Sequence, residues 1–337
     1  MKKIFAIGIA LLTLASCNMD FYSSDSMTST QIKENPKSAI YTTDGIYALF
    51  KDNLPYKGED GGRDGNYYLR HYFQLTETRG DNVTISGNSE DPFTQPYQYK
   101  DVDNTKNKTY TWWMAYKIIY AANSNIDAID INSSNDKALS HQLLGENYFF
   151  RAIAHFHMVT LFAMPYVCGR DNPGVVLRIG MDYSETHRSK VGECYDAIEA
   201  DLKESIRLMG AGAKRGDNGY ASKEAAQALL GRLYLYKGEW QKCIDTCSEV
   251  LGADAGSHLE SEVTTLYSTA PSSKEVIWCV DITDSDIANM PPKGNLASLF
   301  DSPDGTQGTG WGELYVADPV PSRTPFHQPH RIRAHRL

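Results

Sequence analysis

The chain has 337 residues, of which 41% are apolar and 22% are charged, and its formal net charge is -9. That length and apolar content can build the core of one large domain or of two smaller ones. The negative charge balance argues against nucleic-acid binding, because phosphate recognition needs clustered positive charge.

A short apolar segment at the amino terminus predicts a lipoprotein signal peptide over residues 1–16. Two lysines precede an apolar run that ends in the letters LASC at positions 14–17. The run is too short to span a membrane, which takes ~20 apolar residues, but it has the charged start and small-residue end of a secretory signal. Its ending resembles a bacterial lipobox, so we expect Cys17 to carry a lipid anchor. An ordinary signal peptide that contains a cysteine is the alternative.

Apolar residues that recur at intervals of three and four predict six helices after the signal. In chain order they cover residues 38–53, 111–130, 138–165, 190–209, 222–240 and 241–252. The third helix is expected to stop at Pro165, because proline cannot continue a helix. In the second helix, TWWMAYKIIYAANSNIDAID, we expect Trp112 and Tyr116 to begin the inward-facing side.

The segments between these helices are rich in turn residues, notably 54–66 and 80–110. The letters DGGRDG at 60–65 resemble a calcium-binding loop, but Gly62 occupies a ligand position, and we interpret the segment as a plain turn. The apolar run EVIWCVDI at 275–282 predicts a strand, which would place Trp278 in the core.

The last two predicted helices carry the signature of a tetratricopeptide repeat. Leu230 and Gly231 precede Tyr234, and Gly238 turns the chain before Trp240. Gly231 would let two helices approach closely, and Gly238 would let the second helix fold back. The signature predicts a helical-repeat scaffold.

The same trio of residues recurs earlier in the chain, at Leu144, Gly145 and Tyr148. The offset is not a multiple of the ~34-residue repeat, so we expect an insertion at 165–190 to separate the paired helices. Long loops on a rigid scaffold are where binding residues usually lie.

Five stretches together resemble the SusD/RagB family of nutrient-binding outer-membrane lipoproteins. They are the lipobox at Cys17, TWWMAYKIIYAANSNID, GENYFFRAIAHFHMVTLFAMPYV, RSKVGECYDAIEADLKESI and GYASKEAAQALLGRLYLYKGEWQKCIDTCSEVL. Their order and approximate spacing also match the family, and they cover most of residues 17–285.

The resemblance implies a mainly α fold of tetratricopeptide-like repeats with long inserted loops and a small, truncated second subdomain rich in loops and strands. It also implies a surface-exposed, lipid-anchored outer-membrane protein that binds oligosaccharide. Such a protein delivers its ligand to a TonB-dependent transporter of the SusC type.

The predicted organisation has four parts: the signal peptide 1–16, the helical-repeat region 17–270, the start of a second subdomain 271–320, and a basic tail 321–337. The tail departs from the family pattern, because family members normally continue and because no acidic residue follows Asp318. We interpret it as a truncation or a change of reading frame; a basic segment that binds lipopolysaccharide is the alternative.

Glycan recognition directs attention to aromatic residues in the loops. An aromatic ring covers the apolar face of a sugar, and polar side chains hydrogen-bond its hydroxyls. The candidate ligand residues, in the loop 80–110, at its exit and in a glycine-rich loop, are Asp81, Asn82, Tyr97, Tyr99, Trp113 and Trp311.

The sequence carries none of the common catalytic or nucleotide-binding motifs, so we predict a binding protein that is not an enzyme. Cysteines after the anchor are scattered; Cys243 and Cys247 could share a helix face, but without a second ligand pair we predict packing residues and no metal or cofactor. A glycoside-processing enzyme stays an alternative, since it needs only two carboxylates. A peptide-binding or protein-binding repeat scaffold is the other.

Overall fold

The computed structural model describes residues 37–62, 64–85, 93–100, 102–291, 294, 296–300 and 312–317. The α-helices are α1 (Ser38–Lys51), α2 (Tyr68–Thr76), α3 (Thr94–Tyr97), α4 (Lys106–Ala128), α5 (Lys137–Phe162), α6 (Val191–Gly210), α7 (Lys223–Lys237), α8 (Trp240–Leu251), α9 (Val263–Ser268), α10 (Asp284–Ala288) and α11 (Ala297–Phe300). Two short strands, β1 (Val83–Ile85) and β2 (Leu314–Val316), pair antiparallel. The predicted anchor Cys17 and the candidate Trp311 lie outside the described residues.

The six helices predicted from the sequence are confirmed as α1, α4, α5, α6, α7 and α8. The end of α5 at Phe162, three residues before Pro165, agrees with proline as a helix stop. The start of α4 at Lys106 lies five residues before the predicted start, because its first turn is polar and carries no apolar period.

Helices α5 and α6 form the first close pair of the scaffold. A Cβ atom at Gly145 would lie 2.5 Å from Met209 Cγ, so only glycine allows this approach. Ser205 Oγ donates a hydrogen bond to the Gly145 carbonyl at 2.7 Å and fixes the crossing point. The predicted role of Gly145 as a close-contact residue is therefore seen in the structure.

Helices α7 and α8 form the second pair. Ser222 caps α7 by accepting a hydrogen bond from Ala225 N. Gly238 ends α7 with φ of 74°, a left-handed conformation that favours glycine. A Cβ atom at Gly231 would lie 2.7 Å from Cys247 Sγ, which shows how closely α7 and α8 approach. These contacts agree with the tetratricopeptide-like geometry that the sequence predicts.

The insertion (residues 163–190) connects α5 to α6 and lies along α4. Arg151 on α5 forms a buried ion pair with Asp201 on α6, at 2.6 Å between Nη2 and Oδ1. Its Nη1 atom also donates to the Ile179 carbonyl at 2.9 Å. The insertion is therefore held against the helical scaffold by a buried side chain.

The prediction of a strand at 275–282 is wrong. Within the described residues this segment belongs to no strand, and its Cys279 N donates to Asn218 O at 3.0 Å. Trp278, which was predicted in the core, is half-buried and packs edge-to-face on Phe149 and Phe50, with ring centroids 5.0 and 6.1 Å away. Ile277 and Ile282 in the same run are exposed.

The predicted inward face of α4 is confirmed only in part, because Trp112 and Tyr116 pack against the core but are not fully buried. The fully buried side chains include Tyr110, Met114 and Ile118, whereas Trp112 and Tyr116 are half-buried. Helix α4 packs against α1, α2 and α5, so its buried arc is wider than a single apolar stripe. The two aromatic residues lie at the edge of that arc. The division of the chain near residue 270 into two subdomains stays a prediction.

Candidate functional site

A cavity of about 630 Å³ opens beside the amino-terminal half of α4. Five aromatic side chains contribute to its wall: Tyr56, Trp112, Trp113, Tyr116 and Phe162. We call this space the aromatic cavity. Such a concentration of rings around one concave space suits a ligand with apolar faces.

The rings of the aromatic cavity contact one another in two groups. Trp113 lies against Tyr56, with ring centroids 5.2 Å apart. Trp112 lies against both Tyr116 and Phe162, at 5.2 Å in each case. Consecutive helix residues point about 100° apart, so the two tryptophans carry the two groups on different sides of α4.

A hydrogen-bonded turn holds Tyr56 at the cavity. Its backbone N–H and C=O both pair with Glu59, at 2.8 and 3.1 Å. Behind it, the buried Tyr110 donates its hydroxyl to the Asn66 carbonyl at 2.6 Å. Burial raises the pKa of Tyr110 well above its usual value, so this hydroxyl stays a donor. Asn66 Nδ2 in turn donates to the Glu59 carbonyl at 2.7 Å, which connects the turn to α4.

The insertion supports the opposite side of the cavity. Tyr116 donates its hydroxyl to the Val176 carbonyl at 2.8 Å, and burial raises the pKa of Tyr116. Arg188 Nη2 donates to the Phe162 carbonyl and Arg188 Nε to the Gly174 carbonyl. These bonds join the insertion to the middle of α4 and to the end of α5, both of which bear cavity rings.

Charged side chains complete the lining. Arg79, Asp103 and Lys108 contribute to the cavity wall, and Lys108 Nζ also donates to the Val102 carbonyl at 3.2 Å. The Lys117 ammonium lies 5.6 Å from the centre of the Trp113 ring. The site thus combines aromatic faces with charged donors and an acceptor, which is the combination that sugar rings and their hydroxyls require.

The structure distributes the predicted ligand residues unevenly around this site. Trp113 lines the aromatic cavity. Tyr99 is 74% exposed, and its hydroxyl donates to the backbone carbonyl of Arg79 at 2.6 Å. Tyr97 hydrogen-bonds Thr84 Oγ1 at 3.0 Å.

Two of the remaining predicted residues, Asp81 and Asn82, do not line the aromatic cavity. Asp81 and Asn82 are exposed in the turn before β1, where the Asn82 carbonyl accepts a hydrogen bond from Ala317 N. Trp311 falls among the residues that the structure does not describe.

Several cavity residues were missed from the sequence. Trp112 was expected in the core, and Tyr116 with it, because the apolar period was extrapolated along one stripe. Arg79 lies two residues before Asp81 in the letters TRGDN. Its closeness in the sequence to this candidate ligand residue was the one indication that it could belong to the site. Tyr56 and Phe162 carried no signal, since their approach to α4 depends on tertiary packing.

In the DGGRDG segment the described glycines Gly61, Gly62 and Gly65 have positive φ, and Gly65 N donates to Gly62 O at 3.3 Å, as expected of a turn. It borders a separate polar cleft that Glu59 and Lys106 also line. Among the described residues, no three histidine, cysteine or acidic side chains come together as metal ligands. None of the helices in the described ranges combines the length and apolar character needed to cross a bilayer.

A family model matches residues 60–235, which include most of the aromatic cavity. The model is SusD-like_3, described as "Starch-binding associating with outer membrane". The chain belongs to this SusD-like family. The match covers more than half of the chain and contains α2 and the scaffold helices from α4 through most of α7.

Curated relatives of this SusD-like chain come from Formosa agariphila. SusD-like protein P25 is 24% identical over 189 residues, which are 56% of this chain and 34% of the relative. SusD-like protein P2 is 26% identical over 176 residues, which are 50% of this chain and 33% of the relative. The matched regions thus span about a third of the length of each relative.

Solved SusD superfamily structures share the fold. A protein from Bacteroides thetaiotaomicron VPI-5482 aligns with a TM-score of 0.66 and 23% identity, covering 86% of this chain and 60% of that protein. One from Bacteroides fragilis aligns with a TM-score of 0.63 and 24% identity, covering 83% of this chain and 61% of that protein. The likeness confirms the mainly helical, tetratricopeptide-like architecture.

Proposed function

We propose that this SusD-like protein captures a glycan in the aromatic cavity and delivers it to a SusC-type TonB-dependent transporter. The observation that carries the proposal is the clustering of five aromatic rings with Arg79, Asp103 and Lys108 around one space of about 630 Å³. Sugar rings stack their C–H faces on aromatic rings, while their hydroxyls need hydrogen-bond partners when they leave water.

Capture without cleavage fits the charges of the cavity. Glycoside hydrolysis uses a pair of carboxyl groups on either side of the scissile bond, about 5 to 10 Å apart. Asp103 is the one carboxylate among the described residues that line the cavity. The proposal therefore assigns this site to binding.

The proposed location is the outer-membrane surface, with the lipid on Cys17 as the anchor. The family description names outer-membrane association, and the LASC ending supplies an acylation site. Several acyl chains on one cysteine would hold the protein firmly, since each buried methylene contributes about 0.8 kcal/mol. The transporter would then lie in the same membrane as its delivery protein.

A peptide-binding scaffold is the second candidate. It is favoured by the outer side of α8, where Trp240, Ile244 and Leu251 are exposed at helical spacing on one face. An exposed apolar stripe on a repeat helix can hold an amphipathic peptide.

Electrophoresis in gels that contain starch, xylan, laminarin, pectin or alginate tests the glycan proposal. We expect at least one of these polysaccharides to retard the wild-type protein, and Trp113→Ala to lose most of that retardation, because loss of one stacked ring weakens binding about fivefold. Tyr41→Ala is the matched control, since Tyr41 is 71% exposed on α1.

The same samples separate the alternatives. Release of shorter sugars from the retarding polysaccharide would indicate an enzyme. Migration unaffected by all five polysaccharides, together with binding of amphipathic peptides, would favour the scaffold.

A further inference from the structure

Aromatic and cationic side chains continue along α4 beyond the aromatic cavity. Trp113, Lys117 and Tyr120 recur at intervals of four and three, so they share one face of the helix. We call these three residues the α4 row. At 1.5 Å per residue, the row extends about 10 Å from the cavity wall. Tyr120, at its far end, is 52% exposed.

Tyr120 contacts a second exposed tyrosine at the end of the α4 row. Its ring centroid lies 5.6 Å from that of Tyr183 in the insertion, with the ring planes at 44°. Tyr183 is itself 36% exposed. The Arg178 guanidinium lies 5.3 Å from the centre of the Tyr183 ring. The pair therefore presents aromatic surface to water beside a cationic donor.

The scaffold fixes the position of this exposed pair. Asn123 Nδ2, one turn along α4, donates to the carbonyls on either side of Ile179, at 2.9 and 3.0 Å. The Ile179 carbonyl itself accepts from Arg151, which is bound to Asp201 in the core. Three consecutive carbonyls are thus held by buried side chains just before Tyr183. A platform held in this way needs little further ordering when a ligand binds.

We propose that Tyr120 and Tyr183 form a second sugar-stacking platform, which holds the part of a bound oligosaccharide that extends from the aromatic cavity along α4. The inference rests on the proposed function and adds a second contact site and the direction in which the bound chain runs. A single sugar ring is too short to reach from Trp113 to Tyr120. A chain of several rings can stack at both ends while Lys117 and Arg178 donate to its oxygens.

The cationic side chains on this surface favour an oligosaccharide ligand over a protein partner. The α4 row and the neighbouring insertion together alternate rings with cations, with Lys117 near Trp113 and Arg178 near Tyr183. A protein-docking core is usually depleted of charge. Hydroxyl-rich chains instead need donors between the stacking faces.

The test compares a polymer with its disaccharide. Gels of starch, xylan, laminarin, pectin and alginate compare four proteins. They are the wild type, the double alanine variant Tyr120→Ala/Tyr183→Ala, the double phenylalanine variant Tyr120→Phe/Tyr183→Phe, and the Tyr41→Ala control. Calorimetric titrations then use maltose, xylobiose, laminaribiose, digalacturonate and dimannuronate. Melting temperatures check that each variant is folded, which we expect because both tyrosines are partly exposed.

We expect the double alanine variant to bind the retarding polysaccharide at least fivefold more weakly than the wild type does. Its affinity for the matching disaccharide should be unchanged. The double phenylalanine variant should bind both as the wild type does. Unchanged polymer binding by the double alanine variant, with loss in Trp113→Ala, overturns the second platform and leaves the proposed function intact. An equal loss for the disaccharide also overturns it, because the tyrosines would then act on the cavity alone. No retardation of the wild type in any gel contradicts the proposed function itself.

Discussion

Three histidines in the helical core are kept neutral by their surroundings. Burial lowers the pKa of His71 and of His157 to about 3 and that of His155 to about 4. The positive charges of Arg70, near His71, and of Arg151, near His155, act in the same direction. Each ring is therefore uncharged in the folded protein at a pH where the unfolded chain would protonate it.

These histidines predict that the protein loses stability in mild acid. The unfolded chain takes up their protons near pH 6.5 and the folded protein only near pH 3 to 4, so the free energy of unfolding falls as pH falls below about 6.5. The slope is about 1.4 kcal/mol per pH unit for each histidine. Glu146 offsets the effect of about one histidine. Burial raises its pKa from 4.5 to about 7, so the folded protein takes up this proton at a higher pH than the unfolded chain does. We expect a lower melting temperature at pH 5 than at pH 7.

Two variants control this measurement. His258→Gln removes an exposed histidine and should keep the wild-type pH dependence. His157→Gln should flatten it, even if the variant is less stable overall. Equal wild-type melting temperatures at pH 5 and pH 7 would show that the buried rings do not control acid stability.

At the same residue scale, the candidate site was only partly predictable. The prediction that Trp113 belongs to the site agrees with its place in the cavity wall. The prediction that Trp112 lies in the core does not, since both half-buried rings contribute to the wall. A periodic pattern distinguishes the two sides of a helix that has one buried face. It cannot locate the edge of a wide buried arc, which depends on the neighbouring elements.

At the scale of elements, glycines set the distances between paired helices. At Gly231 a Cβ atom would lie 2.7 Å from Cys247 Sγ, closer than atoms in a packed core tolerate. Gly45 on α1 has no atom within 4 Å of the corresponding position. The two glycines therefore provide a matched comparison between a helix crossing and an open helix surface.

We predict that Gly231→Leu destabilises the protein by ~1–3 kcal/mol, because overpacking must separate α7 from α8. Gly45→Leu should be neutral or slightly stabilising, since leucine is a better helix former than glycine. Thermal melts of both variants check the expectation. A Gly231→Leu protein that melts with the wild type would contradict the close crossing.

The helix pairs and the insertion were predictable because their signals are local: apolar period, capping residues and glycines at close contacts. The run at 275–282 was misread because a short apolar segment does not specify its hydrogen-bond partners, and Ile277 and Ile282 within it are exposed. Helix α2 was not predicted; its buried residues include Arg70 and His71, which no apolar pattern reveals.

At the scale of the whole molecule, the fold connects three separated parts of the chain at one site. The turn at Tyr56, the start of α4 and the end of α5 at Phe162 meet around the aromatic cavity, and the insertion covers their far side. This convergence depends on tertiary packing. The family resemblance therefore predicted the architecture, whereas most of the site residues could be identified only from the three-dimensional structure. The chain spans 60% of the Bacteroides thetaiotaomicron structure that it matches.

The central claim is that a sugar ring occupies the aromatic cavity, and a crystal structure of the protein with the disaccharide of the retarding polysaccharide tests it most directly. We predict a sugar ring stacked face-on against Trp113 or Trp112, with hydroxyls hydrogen-bonded to Arg79, Asp103 or Lys108. Sugar bound elsewhere on the protein, with water alone between Tyr56 and Phe162, would contradict the claim.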